Sequence, residues 1–565
     1  MIKKWKTQYW LPILLVVVAG GGLLAFALTN GNQNGAADGV FPTMHITVPE
    51  TPFEERDLRQ DGTITVIDPS GAFSFEEAEA MVRGRGNSTW WDGPEKRPLR
   101  FRFQEARSMF GSEYEARNWI LLANHFDRAL LRNYAALHFA AQLGRMDFVP
   151  SAQHLHLYVN DEYMGVYLLT DERDVNPGRM EIEWDPDPSL SGYFVEMDGR
   201  ARLNAVEGED FIFVNYKAYD LRWPDFPDEM TPAHVDYLRQ YLQAVSNAIR
   251  SESFADIIEL IDLDTFVDFY LVQEFFKDPD AHITSVFMYI DGIGTERRLF
   301  MGPVWDFDIA AGNRDGMLLG HGPENLYAGA LHYWFRHLLQ TPEFFEATAA
   351  RWEEVQATAV AETIEHLRHT AVRYQAEFER NFHRHPMMET ALHIAPEDIL
   401  EIDNFMEQVD HLIAWLEARA AWMSAFFNGQ LPDYDPLWTL VEFYASERPI
   451  QILLDGVEQH FDIPPAIIHN KTMLALPELV SLLNLSMDHD PATGALILTR
   501  AADTITYHYG DTFMDVNGIT VSFASPSAIS IRGHAFFPIA YVARSLGYEV
   551  QWYDILGETL LISPP

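Results

Sequence analysis

The chain has 565 residues, 48% of them hydrophobic and 13% aromatic, which excludes general disorder and allows more than one core. Its 83 acidic against 40 basic residues give a net charge of −43, a field that repels nucleic acid and anionic membranes and favours basic polypeptide partners. It has no cysteine, so disulfides, thiolate metal sites and cysteine nucleophiles are excluded.

In chain order, Lys3, Lys4 and Lys6 precede an apolar run from Trp10 to Leu28, followed by a Gly/Asn-rich stretch to Gly39. A positive segment ahead of such a run reads as a secretory signal or as an uncleaved N-terminal anchor. Ala25-Phe26-Ala27 resembles a small-residue cleavage site, while an apolar run of about 19 residues is also enough to span a bilayer. Either reading puts the rest of the chain outside the cytoplasm, with membrane contact only through residues 1–39. Next come β-branched runs at 45–48 and 63–67, then an alternating amphipathic strand at 97–103. Residues 127–143 have helical periodicity and stop at Gly144, and runs at 154–159 and 165–170 form a hairpin through Asn160-Asp161. Residues 192–198 read as another strand. Helical spacing then dominates at 232–249, 264–276, from 342 to about 378, and at 396–427. This order predicts an α+β domain over residues 40–435, an antiparallel-rich sheet followed by a helical half. After a boundary at 432–436, residues 448–565 form a small α+β domain of two repeats. In it, 461–468 echoes 523–530, 472–484 echoes 534–547, and the turn glycines Gly494 and Gly557 correspond.

The segment Pro303-Val304-Trp305-Asp306-Phe307-Asp308 ends an apolar, strand-like run in two carboxylates at i, i+2. On an extended backbone both face one side, and two converging acids suit a hard divalent cation, Mg²⁺ or Mn²⁺, that keeps phosphate in its shell. For an isolated pair the alternative is a polar strand end with Asp308 capping a turn. Arg83, Arg85 and Asn87 lie in a glycine-punctuated loop suited to phosphate, its alternative being a solvated turn. Lys96 and Arg132 are further cations for phosphate neutralisation, Arg132 alternatively a structural partner for a carboxylate such as Glu196.

Arg83-Gly84-Arg85-Gly86-Asn87-Ser88-Thr89-Trp90 with Lys96, Leu131-Arg132-Asn133, the 192–198 strand, Asp278-Pro279-Asp280 and the Asp306/Asp308 segment occur in one order. Across roughly residues 41–430 the chain thereby resembles the spore-coat-protein-H (CotH) family of secreted atypical protein kinases. The resemblance implies an atypical kinase-like domain that transfers the γ-phosphate of ATP, with Mg²⁺ or Mn²⁺, to Ser/Thr of surface or spore-coat-type proteins. It makes Asp306 and Asp308 the metal ligands and Asp280, which corresponds to the family's essential acid, the residue that orients the acceptor or holds a second metal. In place of the family's Ile-Lys-x-Pro stands Leu221-Arg222-Trp223-Pro224, so Arg222 takes the nucleotide-side position with altered donor geometry, and Lys217 is a nearby substitute. The last 120 or so residues are similar to the copper amine oxidase N-terminal-like repeat. No copper is expected there, because His460, His469, His489, His508 and His534 are scattered.

Two other readings compete. One is a non-catalytic surface or coat assembly scaffold; the other is a carbohydrate-active enzyme with a carboxylate pair, suggested by export and by many Trp and Tyr.

Overall fold

The computed structural model describes residues 39–564 apart from the short segments 51–54, 91–94, 200–204, 216, 226–227, 391–393, 469–470, 491–492, 494, 508–512, 523–527 and 554–558. Residues 1–38, Gly494, Gly557, His469 and His508 lie outside the described residues. Among the described residues no helix is long and apolar enough to cross a membrane.

Seven strands close a barrel: β1 (Thr43–Thr47), β2 (Gln60–Ile67), β3 (Phe75–Gly84), β4 (Leu99–Arg107), β5 (Ala116–Leu122), β6 (Ala152–Val159) and β7 (Glu162–Asp171). The spatial order is β1-β2-β3-β4-β5-β7-β6, and closure comes from the one parallel pairing, Met44 opposite Leu157. The period-two alternation dictates the inside: Leu99, Phe101 and Phe103 of β4 meet Ile64, Val82, Trp119, Leu157 and Leu169 in the lumen. The expected hairpin at 154–170 is β6–β7.

A second sheet has the order β12-β11-β8-β10-β9, from β8 (Tyr193–Met197), β9 (Phe211–Val214), β10 (Lys217–Trp223), β11 (Val286–Asp291) and β12 (Arg298–Met301). Central β8 is buried on both faces. Phe194 joins Phe287, Tyr289 and Trp305 against the outer barrel residues Ile120, Leu122 and Leu168. Tyr193, Val195 and Met197 face the helices on the other side. The architecture is thus α+β, as expected, but the strands form a closed barrel and a separate sheet rather than a recognisably kinase-like sheet.

The helices at Arg132–Leu143, Pro232–Ser251 and Leu263–Phe275 fall where periodicity predicted, the first ending at left-handed Gly144. The predicted 342–378 helix is instead broken into Pro342–Val355, a wider turn, Ala361–Arg373 and Gln375–Arg384. The 396–427 segment is interrupted before Phe405–Phe427, because Asn404 caps that helix by accepting from the Glu407 N–H at 2.9 Å.

The 432–436 boundary begins a further helix, Pro436–Ser446. Asp435 accepts from Leu437 and Trp438 N–H, and Pro436 sits at the first helical position. The two repeats join through antiparallel pairing of Lys471–Ala475 with His534–Pro538, each followed by a short helix, around their own core. Residues 39–565 nevertheless form one compact unit.

Candidate functional site

β11 and β12 are antiparallel, so the chain entering β11 and the chain leaving β12 emerge at the same end of the sheet, tied by Gly302 N–H to Phe287 C=O at 2.9 Å. The entering arm carries Asp278 and Asp280 and the leaving arm carries Asp306 and Asp308. The barrel loop that carries Arg85, far off in the sequence, meets them because Trp305 is buried against the barrel's outer wall.

The Asp306/Asp308 segment is not an extended strand end. β12 stops at Met301, and Asp306 has φ 73°, as Ser285 across from it has φ 58°. Two non-glycine residues in the left-handed region each cost on the order of 1–3 kcal/mol, strain that concentrates at functional sites. The alternation survives for a different reason: Phe307 is fully buried in the helical core, while Asp306 and Asp308 stay partly exposed. The Ser285 hydroxyl donates to Asp306 at 3.4 Å.

The first turn of the helix at Arg132–Leu143 fixes this loop. Asn133 Oδ1 accepts from Phe307 N–H at 2.7 Å, and the Arg132 guanidinium reaches Ala310 C=O at 3.1 Å. Arg132 is fully buried and pairs with Asp127 at 2.6 Å, the structural alternative realised with a carboxylate other than Glu196. The loop then turns at Gly312 (φ 79°), where a Cβ would lie 2.7 Å from Trp415 Nε1. On the other arm the Asp280 N–H donates to Asp278 Oδ1 at 3.1 Å.

The electrostatics of the acids are unusual. Burial, then Asp306, Asp127 and Asp280, push the Asp308 carboxyl well above the usual range. Burial, then Asp280, with Asp306 and Asp308 further down, do the same to Asp278. Beside them, Arg85 lies over Trp305 at 5.4 Å, with Arg173 over the same ring at 4.0 Å. Burial, then repulsion from Arg173, lower Arg85 to about 10 despite attraction from Asp306. Among the described residues Arg85 donates no side-chain hydrogen bond to protein. Arg173 and Arg100 hold Glu172 at 3.4 and 3.1 Å; burial opposes that carboxylate's charge, but Arg173, Arg100 and Arg85 outweigh it and bring its pKa to about 2.

The other expected cations separate from this point. Arg83 bonds Gly84 C=O at 3.1 Å and Asp57 at 3.4 Å, and exposed Asn87 accepts from Arg56 at 3.3 Å. Arg222 pairs with Glu196 and Asp220, whose carboxylates outweigh burial and raise its pKa, so it is engaged by protein rather than free for nucleotide. Lys217 is a strut on His282 C=O at 3.0 Å. Lys96 is wholly buried: its ammonium donates to Val166 C=O and lies 4.9 Å from the Tyr167 ring centre.

A divalent cation and a phosphate both fit what remains. Carboxyls whose charge is disfavoured by burial and by one another are favoured in ionised form beside a cation. An arginine without a protein acceptor, repelled by a second arginine, is satisfied by phosphate oxygens. Among the described residues no three acids or histidines are grouped so as to hold a metal ion by themselves. Asp278 and Arg173 were missed in the sequence. Asp278 had a signal in its spacing from Asp280, whereas Arg173 had none, since only the fold stacks it on Trp305.

The carbohydrate-enzyme reading gains nothing from this arrangement, whose acids share one patch with a double arginine. No curated protein matches the chain. Residues 453–559 match the copper amine oxidase N-terminal domain. Residues 82–423, which span the arginine loop, Asp278, Asp280, Asp306 and Asp308, match the CotH kinase protein model, and the chain belongs to that family.

Proposed function

We propose that the chain is an exported protein kinase that transfers the γ-phosphate of ATP to a Ser or Thr hydroxyl, using Mg²⁺ or Mn²⁺. The observation that supports this reading is the meeting of Asp280, Asp306 and Asp308 with the Arg85 guanidinium, which among the described residues donates to no protein group, at one end of the β11–β12 hairpin. Asp306 and Asp308 would hold the cation, which when bound neutralises phosphate oxygens and allows them beside the carboxylates. Arg85, stacked on Trp305 with Arg173 over the same ring, binds the donor's phosphates. Asp280 orients the acceptor hydroxyl and takes its proton as the new O–P bond forms and ADP leaves. The net charge of −43 favours a basic, Ser/Thr-rich acceptor of the surface or spore-coat type. Export rests on the leader's sequence. The second reading, a non-catalytic assembly scaffold, is favoured by the engagement of Lys96, Arg132 and Arg222 with protein groups.

Pure protein incubated with radiolabelled ATP, either metal and a basic Ser/Thr-rich polypeptide separates the two. Label is expected in the acceptor and absent with the Asp306→Asn/Asp308→Asn variant. A folded wild type that transfers no label with either metal would leave the scaffold reading standing.

A further inference from the structure

Residues 313–327 follow Asp308 and close back over the Asp280 arm. Two buried cations staple the middle of this segment. Lys277 donates to Gly322 and Glu324 C=O at 2.8 and 2.7 Å, and Arg419 donates to Pro323 and Asn325 C=O, both at 2.7 Å. The end of the segment is held differently. The Tyr434 hydroxyl accepts from Leu326 N–H at 2.7 Å, and Leu319 and Leu326 pack with Leu440 and Leu437 of the helix Pro436–Ser446. That helix also contributes Val441 and Tyr444 to the core of the two-repeat module, and Leu318 packs on the same core. One residue beyond Leu326, the Tyr327 hydroxyl donates to Pro279 C=O at 3.3 Å, immediately before Asp280. Arg532, in the second repeat's hairpin, donates to Asp433 C=O and stacks on Trp438, fixing the segment from which Tyr434 projects.

These contacts form one short path: module core, helix Pro436–Ser446, Leu326, Tyr327, Pro279, Asp280. We infer that the C-terminal module positions the Asp280 arm, and that Tyr434 and Leu440 are positioning residues for phosphoryl transfer rather than parts of a passive attachment domain. The inference rests on the kinase reading for its effect on rate, but the tether itself has a readout that does not. The donor side, Arg85 on Trp305, hangs from the barrel and β12 and is not on this path, so the acceptor step alone should respond.

The test uses full-length protein with Tyr434→Phe, Leu440→Ala and Leu440→Met. Tyr434→Phe keeps the ring and removes the acceptor for Leu326 N–H. It should lower kcat several-fold while leaving the Kd for ATP-metal unchanged. Leu440→Ala should lower kcat tenfold or more, and Leu440→Met should restore it, which a merely unfolded protein would not do. In parallel, limited trypsin digestion after Arg314 reports on segment 313–327 without any catalysis; cleavage should quicken in Tyr434→Phe and further in Leu440→Ala. Quickened cleavage in a protein with no transferase activity would uphold the tether and sink the kinase reading. Unchanged cleavage in both Tyr434→Phe and Leu440→Ala, or quickened cleavage with wild-type kcat, would overturn the positioning role.

Discussion

Two sets of buried carboxylates in this molecule are treated in opposite ways. Asp127, Asp171, Asp268 and Glu274 each hold a buried guanidinium: Arg132 at 2.6 Å, Arg179 at 2.8 Å, Arg351 at 2.8 Å and Arg419 at 2.5 Å. Asp278 and Asp308 have other carboxylates as their main charged neighbours. A buried pair fixes shape, since removing one partner strands the other charge. A group of acids facing one another does the reverse. It sets up repulsion that protonation or an added cation relieves, so folding alone gives no reason to assemble it.

The sharpest way to break this contrast is to neutralise two of the acids that face one another. Asp306→Asn/Asp308→Asn should lower phosphoryl transfer by about 10²–10³ or more, the scale for losing preorganised electrostatic groups, and should raise the melting temperature because like-charge repulsion is gone. Calorimetry beside the labelling assay checks both; full activity in the double variant would remove Asp306 and Asp308 from the metal site.

Asp280→Asn comes next. It should abolish transfer yet spare ATP-metal binding, measured by titration calorimetry. Loss of binding as complete as in the double variant would make Asp280 a metal ligand instead.

In the paired set, Arg132→Met should cost about 3–5 kcal/mol in urea unfolding because Asp127 is left buried and unpaired. It should also cost activity through the loosened 307–311 loop. A stability within 1 kcal/mol of wild type, to take a rough threshold from surface substitutions, would show that the pair does not hold that loop.

The smallest effect is expected at Lys96. Burial lowers its pKa from 10.5 to about 7. Between those values the unfolded chain binds a proton that the native chain does not, so wild-type stability falls as pH drops from about 10.5 toward 7. Lys96→Met should flatten that dependence, be at least as stable at pH 7, and leave ATP affinity unchanged. A weakened nucleotide affinity would return Lys96 to the donor site.

Local signals survived translation into structure where one neighbour decides the outcome. Alternation in 97–103 became β4, Gly144 ended its helix in the left-handed conformation, and Asn160-Asp161 turned the β6–β7 hairpin. The Asp435-Pro436 pair carried a helix start that reads equally as a boundary, because capping acids and linkers share composition.

The sequence by itself determined the family, the α+β class, the repeat at the C-terminus and the identity of the acids. Each is written in residue order, period or motif. Only the tertiary structure decided which cations face those acids. Arg85, Lys96 and Arg132 each carry one positive charge, yet the barrel wall buries Lys96, the Asp127 pair consumes Arg132, and Arg85 stacks on Trp305 within the field of Asp306. Which side of a wall a long side chain crosses depends on residues far away in the chain, and no local pattern encodes it.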